Sequence, residues 1–177
     1  MIRALQAVAE LRHAFDASFA RPLATGQEEH EELLLLRVNQ TFPCLRIAQV
    51  ALISRCPPLT PLPCRQAALA GLAGVRGNVV AAYRLASLIG EAPSKTEGLM
   101  LTAAEDRTAA FLYDELVGYA RVPVSSIHTS RDSARRASEL VTIGERTHSI
   151  ISMPTLLESI RTNAGLEQER TVPGEKE

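Results

Sequence analysis

The side chains that could perform chemistry in this sequence are spread along the chain rather than clustered. The three cysteines, Cys44, Cys56 and Cys64, form no C-x-x-C pair, and the four histidines are scattered. Structural metal sites need ligands at short spacings, so we expect no metal site and interpret the cysteines as buried thiols. The sequence also lacks the G-x-S-x-G motif of serine hydrolases and the glycine-rich signatures that bind phosphates or dinucleotides. We therefore predict no catalytic residue, no cofactor and no enzyme.

One arginine is distinguished by the glycines around it. Gly71, Gly74 and Gly77 are spaced three apart, and Arg76 precedes the last of them. Glycine permits positive φ angles and close backbone approach, so this spacing predicts a tight connection that presents the guanidinium. A planar guanidinium can hold several acceptors, which suits an anchor in a protein interface. The alternative interpretation is a simple turn that carries a solvated arginine.

Composition favours partners that are proteins rather than nucleic acids. The 177 residues are 46% apolar but only 4% aromatic, with no Trp, which predicts a sizeable aliphatic core. Nineteen basic and twenty acidic residues leave a net charge of −1, unlike the basic surface of a nucleic-acid binder. Residues 74–77 formally match the G-x-x-G of one class of RNA-binding domains, so a small RNA-binding barrel stays an alternative.

The sequence predicts a soluble, cytoplasmic protein without membrane insertion. An odd number of widely spaced cysteines argues against a disulfide framework and indicates a reducing compartment. The first ten residues lack the continuous apolar stretch of a signal peptide. The longest apolar runs are far shorter than a membrane span.

The elements that must position Arg76 are mostly short strands. Apolar residues at steps of three and four first predict an amphipathic helix within residues 1–24. Paired apolar segments then predict hairpins, because turn residues separate them. The predicted pairs are Leu33–Val38 with Phe42–Ile47, Leu99–Ala103 with Thr108–Asp114, and Leu140–Gly144 with His148–Met153. Many short strands with turns between them are typical of small barrels or a sandwich.

The connections between these strands are also predictable. Four prolines in the segment Cys56–Pro63 exclude a helix and indicate a stiff extended connection. Gly77–Leu85 is predicted as a strand that leads into a short helical turn. We further expect a helical turn at Ala67–Gly71, a loop at Ser125–Arg136, a short helix at Pro154–Ile160 and a polar, flexible tail over 163–177.

The segment 71–85, GLAGVRGNVVAAYRL, resembles the hallmark G-L-x-N-L-R-G-x-V-V-P-V-x-D-L of the CheW family of chemotaxis coupling proteins. Thr60-Pro61-Leu62-Pro63 and the run 111–117 are similar to its neighbouring segments, and the resemblance spans Leu33 to Ile160. It implies a mainly β fold of two SH3-like five-stranded barrels sharing a core over residues 25–162.

The resemblance also implies a function. Members of the family bridge the signalling tip of a chemoreceptor (a methyl-accepting chemotaxis protein) and the regulatory domain of the histidine kinase CheA, without catalysis. The receptor-binding residues it implies are Val50, Leu52, Gly71, Arg76 and Gly77. A core role for Val50 and Leu52 is the alternative. We expect Arg76 at the junction of the two barrels, facing a protein-binding cleft.

Several positions depart from the hallmark. Gly74 replaces its asparagine, Ala81 its proline and Arg84 its aspartate, while Leu52 stands where relatives often carry an acidic residue. Arg84 is therefore a candidate determinant of partner choice, and it would repel Arg76 if the two were close. One alternative is a divergent CheW-like module that binds a receptor or another partner without coupling to the kinase. Another is a module that holds its partner through the N-terminal helix.

Overall fold

The computed structural model describes residues 28–64, 66–94, 97–129 and 139–169 of the chain. The predicted helix of residues 1–24 lies outside them. Within them, the chain forms eleven strands and two α-helices. The strands are β1 His30–Arg37, β2 Cys44–Arg46, β3 Val50–Arg55, β4 Leu69–Val75, β5 Asn78–Arg84, β6 Leu99–Ala103, β7 Ala109–Tyr113, β8 Glu115–Pro123, β9 Ile127–Thr129, β10 Glu139–Ile143 and β11 Arg146–Ile151, and the helices are α1 Leu85–Leu88 and α2 Met153–Glu169.

The strands form two sheets through which the chain passes in three stages. A six-stranded sheet has the order β8-β1-β2-β11-β10-β9, and a five-stranded sheet has the order β3-β6-β7-β5-β4. The chain begins in the first sheet with β1 and β2, builds the whole second sheet, and returns to the first sheet with β8. The predicted mainly β, two-lobed fold is confirmed, and β9 gives the first sheet a sixth strand.

The three predicted hairpins are confirmed. The pairs β1–β2, β6–β7 and β10–β11 are all antiparallel. In the first, Asn39 has a positive φ of 54° at the turn, and Asn is among the few residues that tolerate this conformation. Local turn chemistry was thus sufficient to predict which neighbouring segments pair.

Three local predictions are wrong. The helical turn expected at Ala67–Gly71 is replaced by the start of β4, because Leu69 and Gly71 pair with β5. Within the loop expected at Ser125–Arg136, β9 pairs with β10. The C-terminal helix runs to Glu169, past the predicted end at Ile160 and into the predicted tail. Residues 161–169 contain no proline and are mostly good helix formers, so the single glycine, Gly165, does not end the helix.

The apolar run of β1 is continuous because the strand is buried on both faces. Leu33 packs in the core of the first sheet, whereas Leu34 and Leu36 belong to a core shared by both sheets. Strands buried on both faces lose the polar–apolar alternation of half-exposed strands.

The shared core joins the two sheets and both helices. Phe111 and Tyr113 of β7 pack there with Leu85 of α1 and Leu156 of α2. The second sheet has its own smaller core, built around Val80 and Met100. Apart from Phe111 and Tyr113 the buried hydrophobic side chains are those of Leu, Ile, Val, Ala, Met and Cys, as the composition predicted.

Candidate functional site

A two-residue turn presents Arg76. Val75 of β4 pairs with Asn78 of β5, so Arg76 and Gly77 alone connect the strands. Their φ angles are 48° and 82°, and two consecutive positive φ angles are the signature of a type I′ hairpin turn. A positive φ is uncommon for a non-glycine residue. Arg76 is exposed at the tip of this turn, which confirms the predicted tight connection.

A groove of about 180 Å³ lies beside this turn. Its walls come from β3, the β4–β5 hairpin, β6 and the turn between β6 and β7. β3 and β4 are opposite edges of the second sheet, so the sheet must curl to bring both edges to one groove. The lining residues are Ala51, Leu52, Val75, Arg76, Asn78, Val80, Thr102 and Arg107. All belong to the second sheet and its turns, so the expected position at the junction of the two lobes is wrong.

Two arginines in this groove carry uncompensated charge. Within the described ranges, neither Arg76 nor Arg107 forms an ion pair or a hydrogen bond. Asp106, which precedes Arg107, instead accepts hydrogen bonds from Thr108 and binds the Arg161 guanidinium at 3.2 Å. Mainly the Thr108 hydroxyl, together with Arg161, holds the pKa of Asp106 below its usual value. The carboxylate nearest to Arg107 in sequence is therefore already bound to Thr108 and Arg161.

Leu52 and Val50, the two predicted site residues on β3, differ in position. Leu52 lines the groove and is half-buried. Val50 packs against the shared core. A register shift between Val50 and Leu52 places Ala51 outside the regular pairing with β6. Leu52 therefore lies in the groove, whereas Val50 contributes to the core.

Gly71 is buried and lies away from the groove lining. Its φ is 149°, and a Cβ there would lie 2.5 Å from the backbone oxygen of Thr60. Thr60 and Leu72 exchange two backbone hydrogen bonds of 2.8 Å. The glycine thus allows the proline-rich segment to lie directly against β4. Apart from the bridge between Thr60 and Leu72, that segment has no regular secondary structure, which agrees with the prediction that it is not a helix.

Arg84 has a charged partner of its own. Its Nε lies 3.3 Å from the Oε2 of Glu97, a carboxylate whose side chain is only 10% exposed. Burial raises the pKa of Glu97 and is only partly opposed by the positive charge of Arg84. Arg76 lies in the turn just before β5, and Arg84 ends that strand. The two arginines therefore lie at opposite ends of a seven-residue strand, and the repulsion considered from the sequence does not arise.

The sequence provided only an indirect signal for Arg107. The turn at 105–107 was predicted as the centre of a hairpin, but that pattern does not reveal that the hairpin packs beside β3 and β5. The exposure of Val79 was not predicted from the sequence either. It is 67% exposed, the highest exposed fraction among the large hydrophobic side chains of the described residues, and it sits two residues beyond the Arg76–Gly77 turn.

Comparison with known proteins assigns the family. The model of the CheW-like domain matches residues 32–161. The chain belongs to the CheW-like domain family. The crystal structure of the scaffolding protein TtCheW from Thermoanaerobacter tengcongensis superposes with a TM-score of 0.66 at 13% sequence identity, over 73% of this chain and 94% of that one. A search of curated protein sequences finds no significant match. The likeness to TtCheW confirms the CheW-like fold predicted from the sequence.

Other kinds of site are not evident in the CheW-like domain. The described residues contain no group of three His, Cys, Asp or Glu side chains that could hold a metal ion. Cys44 is buried, Cys56 is partly exposed and Cys64 is exposed, so the prediction that the three thiols are buried is confirmed for Cys44 alone.

Two further observations bear on nucleic acids and membranes. Residues 74–77, the formal G-x-x-G match, form the end of β4 and the β4–β5 turn. The RNA-binding module needs helices on both sides of that motif, so the pattern that suggested RNA binding has a different structural cause here. No helix within the described ranges has the length and apolarity needed to cross a membrane.

Proposed function

We propose that this protein is a non-enzymatic cytoplasmic adaptor that couples the signalling tip of a chemoreceptor to the regulatory domain of a CheA-type histidine kinase. The observation that carries the proposal is the groove of the second sheet, where two arginines without acidic partners among the described residues lie beside the apolar side chains of Leu52 and Val75. A CheW-like fold supplies the context in which such a groove would bind a receptor.

The chemistry of the groove suits a helical partner. Leu52 and Val75, both half-buried, offer apolar contacts, while the exposed Arg76 and Arg107 offer charge and hydrogen-bond donors. A receptor helix with an acidic residue beside an apolar one would satisfy both features. Arginine is enriched among the residues that dominate interface energies, so we assign the largest share of affinity to these two side chains.

The remaining predicted residues act through the scaffold in this proposal. Gly77 completes the turn that presents Arg76. Gly71 lets the proline-rich segment pack against β4, and Val50 anchors β3 to the shared core beside Leu52. Substitution of any of the three would move the groove rather than remove a contact.

A second candidate function is that of a CheW-like module that binds a receptor but does not engage the kinase. The observation that favours it is the Arg84–Glu97 ion pair. It places a compensated pair at a position where the family hallmark has an aspartate. We retain Arg84 as the determinant of partner choice in this proposal, because reversal of a charge at an interface rim changes which partner can associate.

A reconstitution separates the two candidates. Receptor-containing membranes, the CheA-type kinase and the purified protein are mixed and sedimented. An adaptor brings the kinase into the pellet only when both receptor and adaptor are present. If the protein sediments with the receptor while the kinase stays in solution, the second candidate holds. If the protein itself stays in solution, both fail.

A further inference from the structure

The outer edge of β8 has no partner strand among the described residues. β8 terminates the six-stranded sheet, so β1 pairs with one of its flanks and no strand within the described ranges pairs with the other. The strand is nine residues long. A long edge strand exposes a row of backbone donors and acceptors with which another strand can pair.

This edge also concentrates exposed apolar side chains. The described residues include six exposed large hydrophobic side chains, and four of them lie on β8 or immediately after it. Tyr119 is 56% exposed, Val117 45%, Leu116 39% and Val124 37%. Such clustering on one edge indicates a surface that is covered in the working protein.

The charges of β8 are arranged symmetrically about Gly118. The strand has two charged residues, Glu115 and Arg121, each three positions from Gly118. Two copies of this strand, paired antiparallel about a two-fold axis at Gly118, would therefore set Glu115 of each copy opposite Arg121 of the other. Val117 would face Tyr119 of the second copy, a β-branched and aromatic pair that stabilises antiparallel strands.

The two charged side chains differ in their partners within the described ranges, because Glu115 already forms an ion pair with Arg37. Arg121 forms no ion pair or hydrogen bond within the described ranges. Glu115 accepts a hydrogen bond of 2.8 Å from the Arg37 Nε through its Oε2, and a carboxylate can accept more than one such bond.

Within the described ranges, no neighbouring atom requires a glycine at position 118. Its φ lies outside the range that favours glycine, and a Cβ built there meets nothing within 4 Å. Glycine in a strand interior often marks a close approach of another backbone. The register shift between Leu35 and Leu36 makes Val117 the extra residue of β8 against β1, and the extra residue of a bulge is left unpaired in the ladder.

From these observations we infer that β8 is a self-association edge, on which a second copy of this chain docks antiparallel with Gly118 at the two-fold axis. Charge complementarity selects a second copy as the occupant, because the sequence of β8 complements itself in this one register. A single strand pair buries less area than a standard stable interface. We therefore expect a weak, concentration-dependent dimer with a dissociation constant on the order of 10–100 µM.

Sedimentation velocity of the full chain across that concentration range tests the inference. The wild-type protein should shift from monomer to dimer, and Tyr119→Lys and Arg121→Glu should each weaken the dimer at least tenfold. Combining Glu115→Arg with Arg121→Glu should restore it, because the charge pairs are exchanged. Val79→Lys, at an exposed hydrophobic on the second sheet, is the matched control and should dimerise like the wild type. A wild-type monomer at all concentrations, or equal loss in Val79→Lys, overturns the inference.

Cross-linking tests the register independently. In a chain with Cys56→Ser and Cys64→Ser, Gly118→Cys should give a disulfide-linked dimer on copper-catalysed air oxidation, since directly opposite residues lie within disulfide reach. Gly74→Cys is the control, because Gly74 is exposed and likewise has open space around it. Equal cross-linking of both variants contradicts the register. If the protein is monomeric and Tyr119→Lys instead abolishes receptor binding, β8 belongs to the receptor and the inference is wrong.

Discussion

Arg76 and Arg107 line one groove although they lie on different hairpins, and neither guanidinium has an acidic partner within the described ranges. Two like charges at the rim of one groove disfavour the empty state, and an acidic group from a partner would relieve the repulsion. Other arginines do form ion pairs within the chain. Arg46, for example, is paired with Glu31 and Glu139. The positive charges of Arg76 and Arg107 therefore remain available to an acidic group of a partner.

Gly71→Ala should lower the free energy of unfolding by about 2 kcal/mol or more, because the added methyl would overlap the Thr60 carbonyl and backbone cannot easily yield. Gly74→Ala is the matched control on the same strand. A Cβ there meets nothing within 4 Å, so we expect a change within about 0.5 kcal/mol. Urea unfolding of both variants measures the difference. Equal stabilities would mean that the proline-rich segment does not pack on β4 as described.

Relative to the wild type, Glu97→Gln should raise the free energy of unfolding more at pH 7 than at pH 4. Burial raises the pKa of Glu97 in the folded state, whereas the unfolded chain keeps a value of about 4.3. The folded state therefore holds the proton more tightly, and stability falls as pH rises from the unfolded pKa through the folded one. The glutamine variant lacks this loss.

The measurement is the unfolding free energy of both proteins at several pH values between about 4 and 7, the range that follows from an ordinary glutamate pKa and its upward shift. The advantage of Glu97→Gln over the wild type should grow with pH. Arg84→Ala should deepen the wild-type loss, because it removes the positive charge that favours the ionised carboxylate. A difference that stays constant with pH would refute the pKa shift.

Tyr113→Phe should raise the free energy of unfolding by about 1 kcal/mol. The Tyr113 hydroxyl is buried and has no hydrogen-bond partner among the described residues, and an unsatisfied buried hydroxyl costs about 1–3 kcal/mol. Burial also raises the pKa of Tyr113 to about 12. The folded state therefore holds this proton more tightly, and wild-type stability should fall between about pH 10 and pH 12. The phenylalanine variant has no such loss.

The control is Tyr119→Phe, which removes a hydroxyl that donates to Glu32 Oε1 at the surface. It should change stability by less than about 0.5 kcal/mol. Thermal and urea unfolding of both variants decide the matter. A destabilised Tyr113→Phe protein would show that its hydroxyl does have a partner.

Cys64 should react with a thiol reagent at once, and Cys44 only when the protein unfolds. Cys64 is exposed, whereas burial raises the pKa of Cys44 to about 11 and leaves little thiolate at neutral pH. Mass spectrometry of peptides from briefly alkylated protein, with and without urea, measures both rates. Rapid labelling of Cys44 in the folded protein would contradict its position in the core of the first sheet.

Local features of the fold were predictable from the sequence, whereas long-range ones were not. Turn residues identified three hairpins, and regularly spaced glycines identified the turn at Arg76. The parallel pairings β2–β11 and β5–β7 join segments that no local pattern relates. They determine which hairpins meet, and hence that Arg107 faces the groove of Arg76.

The same limit explains the misplaced groove and the role of Arg84. Alternation predicts which residues are buried but not which of two cores receives them, so Val50 and Leu52 could not be separated from the sequence. The partner of Arg84 was equally hidden, because Glu97 lies beyond α1 and a loop. The resemblance to the family predicted the order of the elements. The groove lining and the Arg84–Glu97 ion pair were found only in the structure.

Binding of the purified protein to the signalling tip of a chemoreceptor tests the central claim most directly. By fluorescence anisotropy, Arg76→Glu and Arg107→Glu should each weaken binding at least tenfold, because each places a negative charge where the partner's acidic group would sit. Arg146→Glu, at an exposed arginine of β11, should bind like the wild type. No binding by the wild type, or equal affinities for all four proteins, would contradict the assignment of the groove as the receptor site.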